Sequence, residues 1–378
     1  MPEMVEENSS PARPTVPTIP KSSANSMSRE PLESPRMRRS ALPWGQQHSC
    51  LSGDEVHTVA IHFAQYSMNI FPFQPATFIP FRDKEAIARV RAIKRADITR
   101  HSNPDYRITV FEPELMEELW IEDIIQRIRN SAEAGEPLVM IMPNPWPNYV
   151  KVAGRINQER ISCHHVHTFN MDEYADQDGN IAPENWEFGF GYAFKNFFIN
   201  AIEPALRPPD KQVHLLSNKS LPDYSKTIAG LGGADITYVG PGWTGHLAFV
   251  DPDAPEFAAD SIEEWKTFGT RVCTLSPFTI AQNSLHGCFG ASGDLTAVPP
   301  KAATIGPADV LAAKHRVAMH AITVGGSFHS WQRLTSRLAM HGPVTPLVPE
   351  SVLQTTRTDV WLSESIAADI ETRWDLGY

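Results

Sequence analysis

From Tyr106 onward the chain alternates short apolar runs with longer stretches of helical periodicity. Residues 107–111 read as a strand. The helix that follows opens with Pro113, at a position where the missing N–H costs nothing. Met116, Trp120, Ile124 and Ile128 recur every four residues, with Ile121 and Ile125 beside them, so one face is apolar. Gly135 supplies the stop. Residues 137–142, 164–169, 234–239, 317–324 and 359–362 read as further strands. Residues 193–202, 308–314 and 327–340 read as helices. Short apolar strands alternating with helices imply parallel strands joined by right-handed crossovers. The expected fold is a Rossmann-like α/β domain: a doubly wound, mostly parallel sheet with helices on both faces. Its site is expected at the C-terminal ends of strands.

Before residue 105 the periodicity fails. Residues 50–104 carry aromatic–proline stretches at 71–73 and 78–81, then a basic, helical-looking run at 84–100, and are expected to form an extension or linker against the body. The first 50 residues hold eight of the 32 prolines and nine serines. Such a segment buries too little apolar surface to offset its ordering entropy, so residues 1–49 are expected to be a disordered tail. Residues 105–378 are left as the catalytic domain.

Composition narrows the partners. With 33 basic against 44 acidic residues the formal charge is −11, which disfavours nucleic acid or an anionic membrane surface. No apolar run approaches the ~18 residues of a membrane span, and no apolar leader marks a secretory signal. The four cysteines, at 50, 163, 273 and 288, include no CxxC pair. They predict no disulfide framework and a reducing, cytoplasmic setting.

Three segments follow predicted strand ends: residues 142–147 (Met-Pro-Asn-Pro-Trp-Pro), 169–174 (Phe-Asn-Met-Asp-Glu-Tyr) and 240–251. The second ends in two adjacent carboxylates, Asp172 and Glu173. Neighbouring side chains on an extended chain point opposite ways, so one can face a cleft while the other is held inside. A carboxylate shielded from water has a raised pKa and can serve as a base; the structural alternative is a strand end with a helix cap. The third contains Gly240-x-Gly242-x-x-Gly245, a match to the dinucleotide fingerprint. That fingerprint needs a helix directly after the glycines, and Pro252 and Pro255 argue against one. A glycine turn that aims His246 into a cleft, with Asp251 to orient the imidazole, fits better. Cys163, His165 and His167 share one face of a predicted strand. No fourth ligand is evident, so strand histidines under a helix are expected rather than a metal site.

Phe169-Asn-Met-Asp-Glu-Tyr174 and Gly245-His-Leu-Ala-Phe249 together resemble the glucosamine-6-phosphate deaminase/isomerase family, which is related to the 6-phosphogluconolactonases. Residues 195–198, 213–216, 298–299 and 304–306 fit the same family in order. The resemblance implies a doubly wound α/β fold and an enzyme that opens an amino-sugar ring, isomerises aldose to ketose through an enol-type intermediate and releases ammonia, with no metal or organic cofactor. It makes Asp172 the base between C1 and C2, and His246, with Asp251 as its orienting carboxylate, the group that assists ring opening. Glu173 is a fourth catalytic candidate. Asn144, Trp146, Asn170, Gly242, Thr244 and Gly245 are the candidate substrate-binding residues. The partner implied is a small sugar or sugar phosphate, and either a monomer or a homo-oligomer is compatible.

The chain also departs from the family. Thr244 stands where the family has an aspartate, and Asp251 replaces a glutamate, reducing the relay to His246–Asp251. The family's Gly-Gly-Thr phosphate turn, an anion nest, is here Asn144-Pro-Trp-Pro147, whose prolines remove two donors while Trp146 offers a stacking face. A family arginine falls near Ile280 and a family lysine near Phe328 or His329. Charge-assisted contacts are worth ~1.5–3 kcal/mol each, so their joint loss removes several kcal/mol of phosphate binding. Lys151 and Lys301 are the candidates to compensate. The expectation is a deaminase/isomerase-like enzyme acting on an altered or unphosphorylated sugar. The alternatives are a sugar isomerase or lactonase-type hydrolase without deamination, and a non-catalytic sugar-binding descendant.

Overall fold

The structure, a computed structural model, describes residues 73–143, 148–321 and 331–373. In chain order its strands are β1 (Tyr106–Phe111), β2 (Leu138–Met142), β3 (Val166–Asn170), β4 (Asp172–Ala175), β5 (Val213–His214), β6 (Ile236–Val239), β7 (Arg271–Thr274), β8 (Lys301–Thr304), β9 (His315–His320) and β10 (Thr358–Ser363). Seven of them form a parallel sheet in the order β1-β10-β9-β6-β2-β3-β5. From β2 the chain winds outward through β3 to β5. It then returns to lay β6 on the other flank of β2 and winds out through β9 and β10. The C-terminal ends of β2 and β6 therefore flank the point where the winding reverses, the place where open α/β sheets hold ligands.

The sheet packs an apolar layer on each face. On one, the helix Pro113–Ala134 lays Trp120, Ile124 and Ile128 over Met140, Tyr238 and Val317. The four-residue spacing of its apolar positions is what makes that stripe continuous. Trp120 meets Tyr149 and Tyr238 edge-on at 5.0 and 6.3 Å, the geometry aromatic quadrupoles favour. Gly135, at φ +69°, closes the helix in the left-handed region. On the other face Val139, Ile141, Phe169, Ala318 and Val360 pack with Leu247, Phe249 and Ala303.

A second sheet, antiparallel in the order β4-β8-β7, lies outside what the hydrophobic pattern predicts, because each of its strands is only four residues long. The predicted helix at 193–202 begins earlier, as Phe190–Phe194, and continues as a π-helical turn, Lys195–Ile199. The basic run at 84–100 is helical only over Lys84–Arg91. It unwinds because tertiary pairing overrides local propensity: Arg95 forks onto Glu364, its N–H donates to Asp369, and Lys94 reaches Asp369 and Glu371. The helix Lys84–Arg91 buries Val90 against Leu338, Ala339 and Val348. The predicted strand at 317–324 is seen as β9, and the predicted helix at 327–340 as Gln332–His341. Residues 322–330 and the expected tail at 1–49 fall outside the described residues. Among those described, no helix is long and apolar enough to cross a membrane.

Candidate active site

Asp172 opens β4, two residues beyond the C-terminal end of β3. There the chain leaves the parallel sheet and pairs with β8, which sets Asp172 opposite Thr304. The side chain is 3% exposed. It accepts a hydrogen bond from Thr304 Oγ1 at 2.5 Å. Burial pushes its carboxyl up to about 7, against the pull of the Thr304 hydroxyl, the His246 imidazole and the Phe249 N–H, and nearby Glu173 adds to the rise. Glu173 is engaged elsewhere, as the two-residue period of a strand requires. It accepts the N–H groups of Tyr174, Phe190 and Gly191 at 2.8, 3.1 and 2.7 Å, holding the first turn of the helix Phe190–Phe194. Burial raises its carboxyl as well, and the three N–H donors oppose that rise. Asp172 is thus held by one hydroxyl, whereas Glu173 is held by three backbone N–H groups.

His246 arrives on the loop after β6. Gly242 makes its placement possible. At φ +50°, a Cβ on this residue would lie 2.4 Å from His246 Nε2 and 2.8 Å from Gln282 Oε1. Gly245, also in the left-handed region at φ +78°, turns the chain just before the histidine. His246 is 7% exposed, and its Nδ1 faces Asp251 Oδ1 at 3.6 Å, a contact longer than a hydrogen bond. Asp251 itself is fixed by three donors. Thr244 Oγ1 and Thr279 Oγ1 reach Oδ1 at 2.9 and 2.7 Å, and the Ser276 N–H reaches Oδ2 at 2.7 Å. Ser276 also caps the helix Pro277–Asn283, so one residue holds both a helix start and the carboxylate. The two halves of the site are tied through Thr304, whose Oγ1 accepts the Phe249 N–H at 3.0 Å while it donates to Asp172. Ala248, between His246 and Phe249, sits at φ +55°, a conformation that costs a non-glycine residue about 1 kcal/mol or more.

Asp172, His246, Asp251, Thr244, Gly242 and Gly245 thus converge beside the switch point. Asn170 ends β3, with its backbone oxygen accepting the Tyr224 hydroxyl and its side-chain oxygen buried without a partner among the described residues. Asn144 and Trp146 fall outside the described residues. Thr304, Ser276, Thr279 and Gln282 were not singled out by sequence. The Ser276-Pro277 pair is legible as a helix cap, but no spacing links it to Asp251. Lys151 is ion-paired with Glu117. Lys301 opens β8, three residues from Thr304, opposite Ala175. Ile280 packs against the core. No α-helix begins between Gly240 and Ile262, so the glycine spacing lacks the helix a pyrophosphate needs. The expected shared face of Cys163, His165 and His167 is not formed, because β3 starts only at Val166. His165 meets Ser131 Oγ under the long helix, while His167 stacks with His214. Among the described residues no group of three or more histidine, cysteine or acidic side chains is placed to hold a metal ion.

No family model matches the chain. A glucosamine-6-phosphate deaminase of Caenorhabditis elegans is 31% identical over 201 residues, spanning 50% of this chain and 66% of that relative. One from Porphyromonas gingivalis is 28% identical over 261 residues, spanning 66% of this chain and 87% of the relative. In fold, the chain superposes on a solved monomeric glucosamine-6-phosphate deaminase with a TM-score of 0.56 at 17% identity, covering 69% of this chain and 98% of that one. In sequence and in fold the chain is a divergent relative of the glucosamine-6-phosphate deaminases.

Proposed function

We propose that this site isomerises an amino sugar from aldose to ketose with release of ammonia. The observation that carries the reading is Asp172: a buried carboxyl with a pKa of about 7, in the field of the His246 imidazole, at the switch point of the sheet. A general base works best with a pKa near the operating pH. In the proposed sequence His246, oriented by Asp251, takes the O1 proton and returns it to the ring oxygen, opening the ring. The aldehyde at C1 then acidifies the C2 proton. The Asp172 carboxylate removes it, and the acid so formed, in exchange with solvent, protonates C1 while the C2 amine passes a proton to O1, leaving an imine at C2. Water adds there and ammonia leaves.

The substrate is proposed to lack the 6-phosphate or to carry another substituent in its place. Pro145 and Pro147 have no N–H to offer an anion, Lys151 is engaged by Glu117, and Lys301 sits at the far end of β8. A second reading, isomerisation or lactone hydrolysis without deamination, is favoured by one observation. Thr244 gives Asp251 a neutral hydroxyl partner where the family carries a second carboxylate. A compartment matching the unpaired cysteines at 163, 273 and 288 is the cytoplasm.

An ammonia assay separates the readings. The protein is incubated with glucosamine 6-phosphate, glucosamine and N-acetylglucosamine 6-phosphate. Ammonia from the first or second, lost in Asp172→Asn, supports the proposal. Glucosamine turning over faster than its phosphate supports the altered substrate. Product without ammonia would favour the second reading, and no turnover with sugar binding retained would leave a binding descendant.

A further inference from the structure

The elements that hold His246 and Asp251 also assemble an aromatic wall. Trp243 lies on the His246 loop, three residues before the histidine. Its N–H donates to Gln282 Oε1 at 2.7 Å, and its carbonyl accepts from Thr335 Oγ1 at 3.1 Å. Trp331, at the head of the helix that carries Thr335, packs on Trp243 with ring centroids 4.6 Å apart and planes tilted by 37°. Phe278, one residue before the Asp251 partner Thr279, meets Trp331 edge-on at 5.4 Å. Phe78, from the segment before the first strand, leans on Phe278 at 6.1 Å. Four aromatic side chains from four separate stretches of chain therefore line up beside the candidate catalytic pair. Trp331 remains 49% exposed and Phe78 68%. Leaving such area open to water is unfavourable, and contiguous exposed patches of this kind mark binding sites.

We infer that this wall is a saccharide subsite, which stacks a second, uncharged pyranose ring linked to the amino sugar that reacts. This rests on the amino-sugar reading of the site. The occupant follows from chemistry and position. The C–H face of a pyranose is weakly positive and complements the negative face of an aromatic ring. The wall starts three residues from His246 on the same loop, and its Phe278 adjoins Thr279, whose hydroxyl holds Asp251, which sets the proposed second ring next to the reacting one. The free C1 that isomerisation requires restricts the link to another hydroxyl of the reacting sugar. The wall has apolar faces to offer where a phosphate would need donors.

The test is calorimetric titration of the full chain carrying Asp172→Asn, so that binding is read without turnover. The probes are glucosamine and the disaccharide in which a neutral glucose is β-linked to O4 of glucosamine. The disaccharide is expected to bind about tenfold tighter, the size of one good stacking contact. Trp331→Ala is expected to bring that ratio to about one, and Phe78→Ala, at a position too exposed to threaten folding, to lower it. Equal affinities in the parent, or a disaccharide advantage that survives both substitutions, would overturn the subsite. So would a peptide of residues 11–20 that binds the wall in a Trp331-dependent way while the disaccharide gains nothing, since the chain's own proline-rich segment would then be the occupant. The two readings fail separately. Loss of ammonia release with the disaccharide advantage intact removes the reaction and keeps the subsite, and the converse removes the subsite alone.

Discussion

Thr304 Oγ1 lies 2.5 Å from Asp172 and accepts the Phe249 N–H at 3.0 Å. One hydroxyl thus joins the proposed base to the loop that delivers His246. It donates to the ionised carboxyl and so holds the Asp172 pKa below the level burial alone would set. Thr304→Val keeps the shape and removes the donor. The acid limb of the kcat/KM profile is expected to move upward by about one pH unit, about 1.4 kcal/mol, the size of a charge-assisted hydrogen bond. A limb that stays in place or moves down contradicts this role.

Asp172 also makes stability depend on pH. Its folded-state value of about 7 lies above the ordinary 3.8. Folding therefore favours the protonated form. The benefit is complete below the unfolded value and is lost as pH rises through the folded one. Asp172→Asn cannot ionise. Denaturant melts of the variant and parent are expected to have the same offset below about pH 4 that the side-chain change itself causes. The variant should then gain by up to a few kcal/mol toward pH 8, at about 1.4 kcal/mol per pK unit. Activity runs the other way, rising with the carboxylate. Parallel stability curves for the two proteins would show that Asp172 carries no raised pKa.

Gly242 is the tightest point of the His246 loop, with its missing Cβ 2.4 Å from the imidazole Nε2. Gly242→Ala must displace either the ring or Gln282 and strain a backbone at φ +50°. Misplacement on the ångström scale costs about 10²-fold in rate, whereas the backbone strain costs about 1–2 kcal/mol of stability. Steady-state kinetics beside a melting curve should therefore show activity collapsing while the fold persists.

Behind that loop sits a second histidine–carboxylate pair. His320 Nε2 lies 3.3 Å from Glu350 Oε1, both side chains are fully buried, and neither side chain has a hydrogen-bond partner among the described residues. The Glu350 N–H donates to the Gly245 carbonyl at 3.0 Å, so the pair braces the turn before His246. Breaking a buried pair leaves one polar group stranded, whereas replacing both by apolar residues is often neutral. His320→Leu alone is expected to cost about 3–5 kcal/mol, and the double variant with Glu350→Leu to recover most of it. A denaturant double-mutant cycle checks this, and additive losses would mean the two groups act independently.

The parallel sheet was legible because its strands are short apolar runs separated by helices of clear period, as in Leu138–Met142 beside Pro113–Ala134. The different surroundings of the adjacent Asp172 and Glu173 side chains were legible too, since side-chain alternation along a strand is fixed by covalent geometry. Other features depend on distance in space. Thr304 lies 132 residues from Asp172, and Ser276 lies 25 from Asp251. No local periodicity encodes either meeting. The small antiparallel sheet escaped because four residues such as Lys301–Thr304 carry too little pattern to stand out. The helix at 84 is shorter than the sequence predicts because Lys94 and Arg95 are good helix formers whose acidic partners lie 277 and 269 residues away. The aromatic wall was invisible because Phe78, Trp243, Phe278 and Trp331 are neighbours only in the folded chain.

Deuterium incorporation in D2O reads the proton transfer assigned to Asp172 most directly. The full chain is incubated with glucosamine and with glucosamine 6-phosphate, and C1 and C2 are followed by NMR. The expected result is label at C1 of the ketose formed from at least one of these sugars, abolished in Asp172→Asn, whose fold is verified by its melting curve. Label acquired at an undiminished rate without the Asp172 carboxylate, or no label from either sugar in the unaltered protein, would contradict the proposed reaction.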